Sequence, residues 1–278
     1  MGFGNPTCHQ HAKLPFLLPS LLPFLFLFNH FHVIAVTNIH LAIITKPVTF
    51  QEAPSFRNGD ACNRERIHIA MTLDSNYLRG TMGAILSILQ HSTCPENVEF
   101  HFLWARFEPE IFYTIKSTFP YLKFKIYRFE SGRVRGKISK SIRLALDQPL
   151  NYARIYLSDI IPGNVKRVLY LDSDLVVVDD IAKLWEVDLG GKVVAAPEYC
   201  HTNFTRYFTD MFWADPELPR GDNIEGKCRS LHPGPVSLLH WSGKGKPWLR
   251  LDSRNPCTVD HLWAPYDLYR PTSDFYEG

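Results

Sequence analysis

The chain has 278 residues, 45% of them hydrophobic and 13% aromatic, with 30 basic against 28 acidic side chains and a formal net charge of +2. That length and apolar content suit one domain with a sizeable core and exclude a disordered chain. The near balance of charge, with no long basic tract, argues against nucleic acid as a partner.

Residues 1–46 differ in kind from the rest. No Asp, Glu, Lys or Arg lies between Lys13 and Lys46, and Leu14 to Phe28 is a run rich in Leu, Phe and Pro. A cleaved signal peptide fits, with Val33-Ile34-Ala35 as a small-residue cleavage site. A retained signal-anchor fits too, because the uncharged stretch exceeds the ~20 residues that cross a bilayer. Pro15, Pro19 and Pro23 weaken a straight helix and also disfavour a buried soluble one. Either secretory reading puts the remainder in the lumen of the secretory pathway, as a Golgi type II membrane protein or a secreted one. Asn203-Phe-Thr205 is an N-glycosylation acceptor triplet, although such triplets also arise by chance. Cys62, Cys94, Cys200, Cys228 and Cys257 lie beyond the apolar segment, none with metal-ligand spacing. They read as disulfides or buried thiols, and an odd count leaves at least one without an intramolecular partner.

Residues 47–65, with Pro47, Pro54, Asn58 and Gly59, read as a short stem. From 66 to 278 strand and helix patterns alternate. The strands are Ile67–Leu73, Val98–Trp104, Lys123–Phe129, Val165–Leu171, Val193–Ala196 and Val236–His240. The helices are Tyr77–Gln90, Pro109–Thr118 and Asn151–Ile161. This order predicts an α/β domain with a Rossmann-like parallel sheet. In such sheets ligands gather outside the carboxyl ends of the strands, where Asp74, Asp172 and His240 fall.

Asp172 and Asp174 stand at i and i+2, so in extended backbone both carboxylates point one way and can share a cation. The ordinary alternative is a pair of turn or cap residues. His240 adds an imidazole, and oxygen ligands with one imidazole suit manganese better than magnesium. Gly243, Lys244, Gly245 and Lys246 follow directly, and glycines with lysine let a backbone approach and neutralise a phosphate. A solvated basic turn is the alternative there. Arg133, Arg135, Lys137 and Lys140 read as a surface loop.

Ile69-Ala-Met-Thr-Leu-Asp-Ser-Asn-Tyr77, Asn151-Tyr-Ala-Arg154, Val168-Leu-Tyr-Leu-Asp-Ser-Asp174 and the segment His240 to Trp248 resemble, in this order, family 8 glycosyltransferases. Gly226 to Pro235 and the tail through Cys257 are similar to plant galacturonosyltransferase-like proteins. The resemblance implies a GT-A fold, a UDP-sugar donor, Mn2+ and transfer with retention to a wall polysaccharide such as pectin or xylan. It implies Asp172, Asp174 and His240 as metal ligands. Thr72, Asp74, Asn76 and Tyr77 would line the uridine pocket. Arg154 and Lys246 would face the diphosphate, with Gly243 permitting close approach. No residue stands out as a committed nucleophile. One departure accompanies the resemblance. Only 66 positions separate Asp174 from His240, and a Phe-Asn-Thr-Gly segment of the relatives is missing, with a break expected near 215–221. Three readings of the shortened chain follow: an active transferase, a donor-site remnant that partners intact transferases, or a non-functional product.

Overall fold

The computed structural model describes residues 2–4, 50–59, 62, 65–137, 148–196, 235–241 and 245–271. Its centre is a four-stranded parallel sheet. Strands β2 (Ile67–Thr72), β3 (Val98–Trp104), β4 (Lys123–Arg128) and β5 (Leu169–Tyr170) lie in the order β4-β3-β2-β5. Strand β3 is buried along its whole length, as a central parallel strand covered on both faces should be. Strand β4 is an edge, and its exposed Lys123 and Lys125 discourage pairing with another chain.

Helix α1 (Leu78–His91) follows β2 and α2 (Pro109–Thr118) follows β3, with Pro109 at the first helical turn. Both turn apolar faces onto one side of the sheet. Ile69, Met71, Met82, Ile85, Ile88, Phe100, Phe102 and Ile115 are fully buried there. Each contributes roughly 1.5–3 kcal/mol by leaving water. A smaller cluster of Leu103, Phe129, Val134 and Ala153 packs elsewhere, with Tyr127 and Tyr170 against it. The 3-10 segment Pro149–Tyr156 supplies Ala153, and the single turn α3 (Leu157–Ile160) continues it.

A second sheet joins the first at the site. Strand β6 (Leu175–Val177) pairs antiparallel with β7 (Val236–His240), which also pairs in parallel with β1 (Gly2–Gly4). Turn α4 (Ala182–Trp185) and helix α5 (Pro247–Asp252) complete the elements used below. The parallel sheet with covering helices is the α/β arrangement that the alternation predicts.

Several expectations change. The strand expected over 165–171 is only Leu169–Tyr170, and β6 was not foreseen. Residues 193–196 form no strand. Val193 is 95% exposed, and no described strand runs beside it to take its backbone hydrogen bonds. The helix expected over 151–161 is mostly 3-10. Part of the expected stem packs: Phe50 and Ala53 are buried, Gln51 N–H donates to the Leu268 carbonyl, and Cys62 is disulfide-bonded to Cys94. Cys257 is disulfide-bonded as well. No described helix is long and apolar enough to cross a membrane. The apolar segment 5–49, the acceptor Asn203, Cys200, Cys228 and the expected break near 215–221 lie outside the described residues.

Candidate active site

Strands β2 and β5 are neighbours, so the segments that leave their carboxyl ends run side by side. Ser173 Oγ ties them by donating to the Thr72 carbonyl at 3.1 Å. After β2, Asp74 Oδ1 accepts from the backbone N–H of Asn76 at 2.8 Å and of Tyr77 at 3.1 Å. That Asx turn starts α1 with Tyr77 at its mouth. Gly80 of α1 then allows a close approach. A Cβ there would lie 2.4 Å from the Trp248 ring and 2.5 Å from the Ser173 carbonyl oxygen. Trp248 in turn packs against Trp263 and edge-on to Tyr77.

The hairpin of β6 and β7 brings His240 back to the turn. Leu175 stands opposite His240, and Trp241 N–H donates to the Asp174 carbonyl at 2.9 Å. His240 Nε2 lies 3.0 Å from Asp174 Oδ1 and 3.8 Å from Asp172 Oδ2. One ligand atom from each of Asp172, Asp174 and His240 lies within 4.8 Å of the others. Arg154 Nη2 donates to Asp172 Oδ1 at 2.9 Å, and its guanidinium sits 4.4 Å from the centre of the Tyr170 ring. Lys246 Nζ donates to Asp174 Oδ2 and, at 2.8 Å, to the Trp241 carbonyl. The same ammonium stands 5.6 Å from the Tyr77 ring centre.

The electrostatics follow from these contacts. Burial works to raise the Asp174 carboxyl, but the hydrogen bond and charge of His240, with Lys246, outweigh it and hold it below its ordinary value. Burial works to lower His240, but Asp174 and then Asp172 raise it above the usual imidazole value. Burial, followed by the carboxylates of Asp174, Asp74 and Asp172, pushes Tyr77 upward. Burial and Asp172 push Tyr170 to about 12, so it stays a neutral phenol at any working pH.

All expected site residues among the described ones converge at this edge: Thr72, Asp74, Asn76, Tyr77, Arg154, Asp172, Asp174, His240 and Lys246. Gly243 lies outside the described residues. Several contributors escaped the sequence reading: Tyr170 beneath Arg154, Ser173 as the tie, Gly80 as the point of approach, and the pair Arg250–Asp260. Arg250 Nε donates to Asp260 Oδ2 at 2.6 Å, while its Nη1 reaches the Gly245 carbonyl. Gly245 has φ 78°, a backbone state that glycine enters freely. A sequence signal existed for β6 alone, in the β-branched run Val176-Val-Val178 after the turn.

A second group of ligand-type side chains lies inside the sheet. Ligand atoms of His68, Glu99 and His101 also fall within 4.8 Å of one another. Here Glu99 is already paired, with Arg66 Nη1 at 2.8 Å and Lys125 Nζ at 2.7 Å. His68 Nδ1 and His101 Nε2 are 2.9 Å apart with ring centres 5.1 Å apart. The rings therefore meet nearly nitrogen to nitrogen, one ring nitrogen donating to the other. His101 Nδ1 is 3.1 Å from the Tyr127 hydroxyl. Burial lowers His68, and burial with His68 lowers His101 to about 4, so at neutral pH both imidazoles are uncharged.

Comparison with known proteins gives the chain's family. Residues 68–229 match Glycosyl transferase family 8. The chain is 56% identical over 303 residues to "Probable galacturonosyltransferase-like 4" of Arabidopsis thaliana, covering 81% of this chain and 86% of that protein. It is 47% identical over 313 residues to "Probable galacturonosyltransferase-like 3" of the same plant, covering 82% and 91%. In the first alignment, 81% of 278 residues is about 225, so of 303 aligned positions about 78 have no residue opposite them in this chain. Among solved structures the chain is similar to galactosyltransferase LgtC, crystallised with donor and acceptor sugar analogs. The TM-score is 0.51 and the identity 17%, over 74% of this chain and 98% of that one. The chain belongs to glycosyl transferase family 8.

Proposed function

We propose that the chain is a Mn2+-dependent retaining glycosyltransferase that moves a galacturonosyl group from UDP-galacturonate, or a related UDP-sugar, to a plant wall polysaccharide such as pectin or xylan. The observation that carries the reading is the convergence of Asp172, Asp174 and His240 between two cations, Arg154 and Lys246. Two carboxylates and one imidazole are a donor set that suits Mn2+. When bound, the metal supplies positive charge that stabilises the departing diphosphate. Arg154 and Lys246 stand beside the metal-ligand set and supply the rest of that charge. Tyr77, at the start of α1, offers a ring to a base, and Asp74 fixes the turn that presents it. Residues 1–46 act as signal or anchor, in which case the Gly2–Gly4 strand leaves β7, which then pairs with β6 alone; Asn203 carries a glycan, and the site of action is the Golgi lumen.

The unmatched positions of the relatives favour one second reading: a donor-binding protein that partners intact transferases without transferring sugar itself. The experiment is transfer from UDP-galacturonate to oligogalacturonides and xylo-oligosaccharides by the full chain, with Mn2+, beside UDP binding by calorimetry. Binding with transfer supports the first reading, and binding without transfer the second. Absence of Mn2+-dependent UDP binding sinks both. Loss of a mass increment on endoglycosidase treatment, abolished by Asn203→Gln, tests the lumenal placement.

A further inference from the structure

The two site cations are held differently. Arg154 is 44% exposed and meets Asp172, itself one-third exposed. Lys246 and Asp174 are nearly closed off, with side chains 8% and 11% exposed. Both oxygens of Asp174 are occupied, Oδ1 by His240 and Oδ2 by the Lys246 ammonium. A divalent ion that takes Asp174 therefore meets a cation on the same carboxylate. Two cations on one enclosed carboxylate repel each other strongly, because little solvent screens them.

The backbone of Lys246 cannot relieve this. Its carbonyl accepts from the N–H groups of Leu249 and Arg250 at the start of α5. Arg250, clamped on Asp260, also holds the Gly245 carbonyl just before it. The side chain has the reach to relieve it instead: four methylenes let an ammonium that leaves Asp174 and the Trp241 carbonyl shift while its Cα stays still.

Resting on the donor-site reading above, we propose that Lys246 is the site's own exchangeable cation. It neutralises Asp174 until a divalent metal takes that carboxylate, and the displaced ammonium then pairs with the donor diphosphate. Metal and UDP are thereby coupled through one side chain. Each ligand alone binds weakly, the metal because it must displace Lys246 and UDP because Lys246 is engaged. Each strengthens the other by the same factor, as linkage requires.

The test uses the full chain as wild type, Lys246→Met and Lys246→Gln, each first checked for a cooperative thermal transition. Free Mn2+ is measured by electron paramagnetic resonance, without nucleotide and with saturating UDP. In both variants Mn2+ alone should bind about five- to tenfold more tightly, since a competing charge is gone. Saturating UDP should then strengthen Mn2+ binding severalfold less than in wild type. The glutamine variant separates charge from hydrogen bonding and guards against a fold lost with methionine. Variants that bind Mn2+ no tighter than wild type, while wild type binds Mn2+ and UDP, overturn the exchange alone. Failure of every form to bind Mn2+ in the presence of UDP overturns the donor-site reading together with it.

Discussion

Two groups of histidine and carboxylate in this molecule look alike on paper and differ in what they can do. Asp172, Asp174 and His240 sit where a parallel strand ends and a hairpin returns, and His68, Glu99 and His101 sit within the strands themselves. In the first, the imidazole faces two carboxylates, and the nearby cations stand on side chains that can move. In the second, the carboxylate is spent on Arg66 and Lys125, and the imidazoles bond each other through one nitrogen apiece. The strand-end group offers two carboxylates to one imidazole, whereas the interior group offers a single carboxylate that already neutralises two cations.

The largest test strikes the packing on which the strand-end group depends. Gly80→Ala would drive a methyl into the Trp248 ring and the Ser173 carbonyl. About 3 kcal/mol of stability should disappear in denaturant unfolding, because neither wall is a free side-chain end. The UDP and Mn2+ response should fall with it. Retention of both would separate the site from the α1 contact.

Acid titration probes the sheet-interior pair. His101 has its folded value lowered from 6.5 to about 4, so the unfolded chain binds the extra proton between those values. Stability contributed by the neutral pair is present above pH 6.5 and is lost as pH falls toward 4, by at most ~3 kcal/mol. Chemical denaturation at pH 7 and pH 4.5 should differ in this direction. A His101→Gln variant should lose much of that slope while keeping Mn2+-dependent UDP binding.

Next comes ligand stabilisation. At about 100 times its dissociation constant, UDP with Mn2+ should add ~2.7 kcal/mol, a rise of roughly 5–10 °C in Tm. Asp172→Asn/Asp174→Asn should abolish the rise, and Glu99→Gln should not. A rise that survives the double substitution would place the metal elsewhere. The smallest expected effect is that of Arg154→Lys. It should change Tm little, since the pair with Asp172 is half exposed and worth ~0–1 kcal/mol, yet weaken UDP binding. Unchanged UDP affinity would remove Arg154 from the donor site.

Much of the parallel core was legible in the chain. The spans of β3, α2 and β7 match the periodicity reading residue for residue, because strong apolar patterns and Pro109 mark their limits. The region after the Asp-Ser-Asp turn was not. A three-residue strand such as β6 has too few residues to show a period, and its existence depends on β7, some 60 positions later. Apolar residues alone do not make a strand either, as the exposed Val193 and Val194 demonstrate.

By itself the sequence determined the chemistry on offer: an Asp-x-Asp turn, a histidine before a Gly/Lys loop, an arginine after a Pro-started turn, and alternation that demands an α/β sheet. These are local properties, written in spacing and residue type. Only the tertiary structure decided which of them meet. The adjacency of β2 and β5, the β6–β7 register and the close approach at Gly80 bring Asp74, Asp172, His240 and Lys246 to one edge. It also decided that Glu99 is engaged by Arg66 and Lys125 while His68 and His101 bond each other, because hydrogen bonds and ion pairs across strands depend on distances that no linear spacing encodes.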